Sequence, residues 1–156
     1  MFIAPDKWQH KLTLTLDCIP KVKQSTRFRA YIDKESGKAK GFAYQTNEIK
    51  KDSLNIRAQI QSQLPKGFKV IDSPMEVRVN YIHKLPKTAL NKFKAAIKEA
   101  IPVYKDTSPD LNDNLNKGLF DAMQGIVFTN DSKIIILSGL TKVYGEEDKT
   151  EITIWY

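Results

Sequence analysis

The stretch KLTLTLDCIP alternates Leu12, Leu14 and Leu16 with Thr13 and Thr15. That period of two predicts a half-buried strand, closed by Pro20. KVKQSTRFRAYIDKESGKAKGFAY follows, basic and dotted with Phe28, Tyr31, Phe42 and Tyr44. Its centre, DKESGK, reads as a turn, so a basic hairpin or loop is expected. In TNEIKKDSLNIRAQIQSQLP, Ile49, Ile56, Ile60 and Leu64 share one face of a helix. Thr46 suits its N-cap and Pro65 its end. MEVRVNYIH alternates Val77, Val79 and Tyr81 as a second strand. KTALNKFKAAIKEAIP has a helical pattern. Pro109 bars a helix from running through it, so a new one begins near 110–113. Leu115, Leu119, Ala122 and Ile126 are spaced to face a core, and Gly125 suits the helix end. KIIILSGLTKVYG and KTEITIWY read as strands, with GEEDK able to turn a hairpin between them.

This order predicts an α+β fold with a mixed or largely antiparallel sheet packed with helices. With 156 residues and no repeats, linkers or low-complexity stretches, residues 1–156 are expected to form one compact domain. The length suffices for a core without staples. The lone Cys18 excludes an intrachain disulfide and a cysteine-built zinc site, and suits a small buried hydrophobe. No apolar run reaches the roughly 18 residues of a membrane span. MFIAPDKWQHK lacks the pattern of a signal peptide, so a cytoplasmic protein is expected.

Charge changes the picture, because the net +7 is unevenly spread. Residues 20–51 carry nine Lys/Arg against three acids, and residues 83–105 six against one. Residues 106–156 reverse this, with four against nine. Two basic segments framing an acidic one suit a polyanion such as nucleic acid as partner. The competing reading of the lysines is a merely solubilising surface.

The acidic segment contains TSPDLNDNLNKGLFDAMQGIVFTNDSK, residues 107–133, with four aspartates. Asp113 and Lys117 are four apart and share a helical face. Asp110, at or before the helix start, gains from the helix dipole, and Asp121 continues the stripe. By itself this is also an ordinary acidic first turn with an ion pair. Asp131 adds to it. It opens a strand just past the helix, and a strand returning beside the helix would bring it to Asp110 and Asp113. Three carboxylates at one point need a cation, and hard oxygen donors suit Mg²⁺, or Mn²⁺, over zinc. Such a centre beside a basic surface is equipment for cutting phosphodiesters, with Lys117 steadying charge.

PDLNDNLNKGLFDAMQGIVFTNDSKI resembles the signature of the RusA-type Holliday junction resolvases, small endodeoxyribonucleases of bacteria and phages. Members carry Pro-Asp-Leu-Asp-Asn-Leu-x-Lys, then Phe-Asp-Ala-Leu-x-Gly, then Asp-Asp-Ser/Ala opening a strand. Here Asp113-Asn114-Leu115-Asn116-Lys117, Phe120-Asp121-Ala122-Met123 with Gly125, and Asp131-Ser132 match those blocks. IPKVKQSTRFRAY is similar to the family's early basic stretch. Three departures stand out. Asp110 and Asp113 are three apart instead of two, Asn130 replaces a carboxylate, and Ser108 stands where a lysine often precedes Pro-Asp, with Lys105 nearby as a substitute. The added residue can be absorbed in the turn at the helix start, or Asn112 can take the metal-side position and weaken binding.

The resemblance implies a homodimer that binds a four-way DNA junction and makes paired symmetric nicks in recombination and repair. Asp110, Asp113 and Asp131 would hold Mg²⁺, with Lys117 as the fourth catalytic residue. Lys21, Lys23, Arg27, Arg29 and Lys105 are expected to contact DNA phosphates. Phe28 or Tyr31 is expected to pack on the sheet, with stacking at the crossover as the alternative. His10 and His83 are read as structural, and Trp8, Trp155 and Tyr156 as core or dimer-interface aromatics. Two other readings remain open: a nuclease for other branched DNA such as flaps and forks, and a non-catalytic nucleic-acid-binding module.

Overall fold

The computed structural model describes residues 8–21, 27–44 and 47–156, with the side chains of residues 27, 28, 42–44, 113 and 114 outside the description. Strand β1 (Lys11–Leu16) leads to a hairpin of β2 (Arg27–Ile32) and β3 (Ala39–Tyr44). Next come helix α1 (Asn47–Gln63), strand β4 (Met75–Lys84), helix α2 (Asn91–Lys98) and the short β5 (Val103–Tyr104). A π-helical turn (Leu111–Asn116) runs into helix α3 (Lys117–Met123). A 3₁₀ turn (Asp131–Lys133) opens β6 (Ile134–Gly145), and β7 (Lys149–Trp155) ends the sheet. The expected α+β fold is observed. Thr46, the expected cap of α1, lies outside the described residues.

Five strands form one mixed sheet in the order β1-β7-β4-β6-β5, while β2 and β3 pair only with each other. β4 runs parallel to β6 and antiparallel to β7. The expected β6–β7 hairpin is therefore corrected. GEEDK does turn the chain, but β7 returns on the far side of β4. The turn is tied over the end of β4, where Asp148 Oδ1 accepts from the Lys84 N–H at 2.7 Å and the Gly145 carbonyl from Leu85 at 2.9 Å. Glycine is required at the crossing, since a Cβ on Gly145 would stand 2.4 Å from Ile82 Cγ2. β4 gains a neighbour on each edge and becomes the centre of the sheet.

One face of the sheet is covered. Leu12, Leu14 and Leu16, Val77, Val79 and Tyr81, and Ile152 and Ile154 pack against Ile56 and Ile60 of α1 and Leu115, Leu119, Ala122 and Met123 of the π turn and α3. Each buried Leu, Ile or Val contributes roughly 1.5–3 kcal/mol by leaving water, so this layer fixes how the acidic helix sits. The opposite face is more open. Trp155 follows the buried Ile154 and so points there, with Arg78 and Lys11 cations 5.2 and 5.7 Å from its ring. The Trp8 indole donates to Glu76 at 2.8 Å. A core role for the two tryptophans is thus corrected, because alternation in β7 turns Trp155 away from the buried layer. Tyr156 packs at the edge of the core, against His10.

Candidate active site

The acidic motif is built on a distorted helix start. Asp110, in extended conformation (φ −70°, ψ 144°), precedes the π turn. The Leu115 N–H reaches back five residues to the Asp110 carbonyl at 3.2 Å. An α-helical bond would span four, so this turn holds one residue more than an α-helix would. The three-residue Asp110–Asp113 spacing is accommodated there. The extra residue widens one turn, and Lys117 onward continues as regular α-helix.

Three contacts fix this segment. The buried Tyr81 hydroxyl donates to Asn116 Oδ1 at 2.7 Å, locking the end of the π turn to the central strand. Burial pushes the Tyr81 phenol far above its usual range, so it stays a donor. The Lys142 ammonium, from β6, donates to the Thr107 carbonyl and, at 2.8 Å, to the Pro109 carbonyl. Arg57, from α1, donates to the carbonyls of Ala122 (2.9 Å) and Gln124 (3.0 Å), satisfying the C-terminal end of α3. Gly125, at φ +81°, then turns the chain. None of Asn116, Lys142 and Arg57 was singled out by pattern. Asn116 carried a legible signal, an amide next to apolar Leu115 in the core-facing stripe.

The segment of Lys105 to Asp110 approaches along β6. The Lys105 amide donates to the Lys142 carbonyl at 2.9 Å, and its ammonium holds Thr107 Oγ1 and the Ser108 carbonyl. Lys105 therefore shapes the loop before the acidic motif. Lys117 and Asp121 are exposed on α3, while the Asp113 side chain lies outside the description.

Asp131 stands elsewhere in the same chain. It opens the 3₁₀ turn before β6, where Thr129 Oγ1 bonds Asp72 at 2.6 Å and Lys133 pairs with Asp72 at 3.2 Å. Ile134 pairs with Met75 at the start of β4, whereas Lys142, beside Pro109, pairs with Tyr81. The π turn and α3 thus run antiparallel to β4 and β6, with Asp110 at one end and Asp131 near the other. Thirteen residues of helix at about 1.5 Å each separate those ends by on the order of 20 Å. This placement sets Asp110 and Asp131 of one chain toward opposite ends of the helix. β6 does return beside the helix, but it starts at the helix's far end. Among the described residues no group of three or more His, Cys, Asp or Glu could hold one ion.

Of the expected DNA contacts, Arg29 is exposed on β2, and the Lys21 amide donates to Asp52 at 2.8 Å while its ammonium lies 3.9 Å from Glu48. Arg27 begins β2, and Lys23 lies outside the described residues, as does the Phe28 side chain. Tyr31 is half exposed instead of covered by the sheet, because its hairpin pairs only with itself.

A family model described as endodeoxyribonuclease RusA matches residues 17–155, which cover every strand and helix above except β1. The chain belongs to the RusA endodeoxyribonuclease family. A further relative is an uncharacterized protein, YqaN, of Bacillus subtilis (strain 168), 28% identical over 85 residues. That stretch is 54% of this chain and 59% of the relative, so the chain spans less than two thirds of the curated relative it matches. The acidic helix lies within the matched residues. Among the described residues no helix is long and apolar enough to cross a membrane.

Proposed function

We propose that this RusA family protein is a divalent-metal-dependent endodeoxyribonuclease that resolves four-way DNA junctions by paired symmetric nicks, acting as a homodimer in recombination and repair. The observation that carries this is the pinned π turn. It starts at Asp110, includes Asp113 and delivers Lys117 to the first position of α3, with Asn116 tied to Tyr81 behind it.

The donor chemistry fits a hard cation. The carboxylates are exposed at Asp110 and Asp131, and neither is in an ion pair among the described residues. Oxygen-only donors favour Mg²⁺, with Mn²⁺ as substitute. Asp110 and Asp113 would hold the ion from one chain. Because Asp131 sits at the other end of the helix, the third carboxylate would be the partner's Asp131, the two chains being related by a two-fold axis. When bound, the cation supplies charge neutralisation at a phosphoryl oxygen and lowers the pKa of water. Lys117 extends its ammonium toward the charge that develops on the cleaved phosphate. Lys142 and Lys105 keep the loop before Asp110 in one conformation, so the carboxylates are positioned before substrate arrives. Lys21, Lys23, Arg27 and Arg29 would hold phosphates of the DNA arms, which orients the substrate and carries little sequence information.

The test is incubation with a synthetic mobile four-way junction and Mg²⁺, scored for paired nicks against linear duplex. Asp113→Asn should keep junction binding and lose cleavage. A non-catalytic binding module would cleave in neither form, and a flap or fork nuclease would prefer those substrates. Mixing Asp113→Asn with Asp131→Asn chains tests the shared centre. A mixed dimer then has one intact centre, so roughly a quarter of wild-type centres should return, as single nicks, under random subunit exchange. No recovery despite exchange would place all three aspartates in one chain's centre and reject the shared arrangement.

A further inference from the structure

The second basic segment, residues 83–105, is unused by the reading above except for Lys105. It holds Lys84, Lys87, Lys92, Lys94, Lys98 and Lys105 against Glu99 alone. Its helix α2 has no buried residue. Apolar side chains are displayed there, with Leu90 60%, Phe93 37%, Ile101 52% and Tyr104 69% exposed. Isolated apolar residues on a surface need no explanation, but a run of them among lysines does. The Lys92 ammonium stands 5.1 Å from the Phe93 ring centre. Lys94 donates to the Lys87 carbonyl at 3.3 Å, tying the preceding turn to the helix. Between the two lies a groove of about 480 Å³, lined by Leu85, Lys87, Lys94, Ile97, Lys98 and Glu146 among others.

We propose that α2 and the turn before it form a second DNA-contacting element, in which Lys87, Lys94 and Lys98 hold backbone phosphates and Phe93 inserts against bases unpaired at the branch. The inference rests on the branched-DNA reading and adds a site to it. Charge favours a polyanion, since the six lysines of the segment outnumber Glu99 and the Glu146, Glu147 and Asp148 of the turn beside it. The aromatic ring selects nucleic acid over a simple anion, because every base offers a face to stack on and apolar wedges open base steps. Location links it to the cut. β5 joins α2 to the loop before Asp110, so Tyr104 and Asp110, six residues apart, are separated by about 20 Å at most. Both lie toward the C-terminal ends of β4 and β6, where Val103 and Tyr104 pair with Tyr144 and Val143. α2 borders the open face of the sheet, with Ile97 and Ile101 beside Arg78, Asn80 and Ile82, so a strand held at Asp110 would reach it by passing round the β5 edge.

Two variants test this, both at exposed positions outside the core. In Lys87→Gln/Lys94→Gln/Lys98→Gln, binding to a four-way junction without divalent ion is measured by anisotropy across a salt series. Loss of three phosphate contacts should flatten the slope of log affinity against log salt by about 2.7. In Phe93→Ala the slope should stay, and the fluorescence rise of 2-aminopurine placed at the crossover should vanish. An unchanged slope in the triple variant overturns the phosphate contacts, and an unchanged 2-aminopurine rise in Phe93→Ala overturns the insertion; wild-type cleavage stands in either case. A wild-type protein that binds no junction at all overturns this inference and the nuclease reading together. A kept slope with lost binding to poly-aspartate reassigns the surface to an acidic protein partner.

Discussion

Asn116 is the side chain on which the orientation of the acidic helix depends. It is 6% exposed and accepts from a phenol in the centre of the sheet. Asn116→Ala leaves the Tyr81 hydroxyl buried without an acceptor and should cost about 1–3 kcal/mol in urea unfolding. Adding Tyr81→Phe removes the orphaned group and should recover part of that loss, whereas additive losses would deny the coupling. His83 offers a second test. Burial and then the Lys105 charge hold its pKa below the usual 6.5, with an upward pull from Asp148 next and a smaller downward push from Lys142 last. The folded protein therefore binds this proton less readily than the unfolded chain. Its stability is intact above 6.5, falls as the pH drops below that value, and levels off below the depressed folded pKa. Between about pH 7.5 and about pH 5 the wild type should lose more urea stability than His83→Gln; equal losses would deny a role for His83. The sequence reading of His83 as structural concerned spacing alone. Its neighbours come from three separate segments and were not legible in the chain order.

At the level of elements, the π turn decides how a three-residue aspartate spacing coexists with a regular helix behind it. A π turn is rarely more stable than an α turn. Deleting Asn112 should let the helix close as α-helix from Asp110 onward, with the Leu115–Met123 face unmoved. The expected outcome is an unchanged circular dichroism spectrum, a melting temperature no lower than wild type, and retained junction cleavage. A marked fall in melting temperature would mean that the π turn is required by packing. Lost cleavage with the fold intact would mean that the wide turn itself positions the carboxylates. Most element positions were readable from periodicity, since β1, β4 and α1 carry clean patterns: Leu12, Leu14, Leu16, Val77, Val79, Tyr81, Ile56 and Ile60 are buried, and Ile49 and Leu64 half-buried. The β6–β7 pairing was misread for a physical reason. A short turn between two strands allows either a hairpin or a crossing over a third strand, and the choice lies with β4, some sixty residues earlier in the sequence.

For the whole molecule, the separation of Asp110 from Asp131 makes assembly part of the proposed chemistry. If the cation is shared between two chains, it binds the folded dimer and not the unfolded monomer. Saturating Mg²⁺ should then raise the melting temperature relative to EDTA, with a gain of about 2.7 kcal/mol at a hundredfold excess over Kd. Asp131→Asn should abolish most of that rise, and an unchanged melting temperature in the wild type would count against the shared centre. The sequence by itself determined the α+β class, the placement of strands and helices, the basic and acidic segments, and the family motif. Those follow from local periodicity and from residue types at fixed spacing. Only the tertiary structure decided the strand order, the widened turn at Asp110, the buried Tyr81–Asn116 tie and the distance between the acidic residues. Each depends on how elements remote along the chain pack against one another, and the direction of a helix across a sheet is written in no single stretch of it.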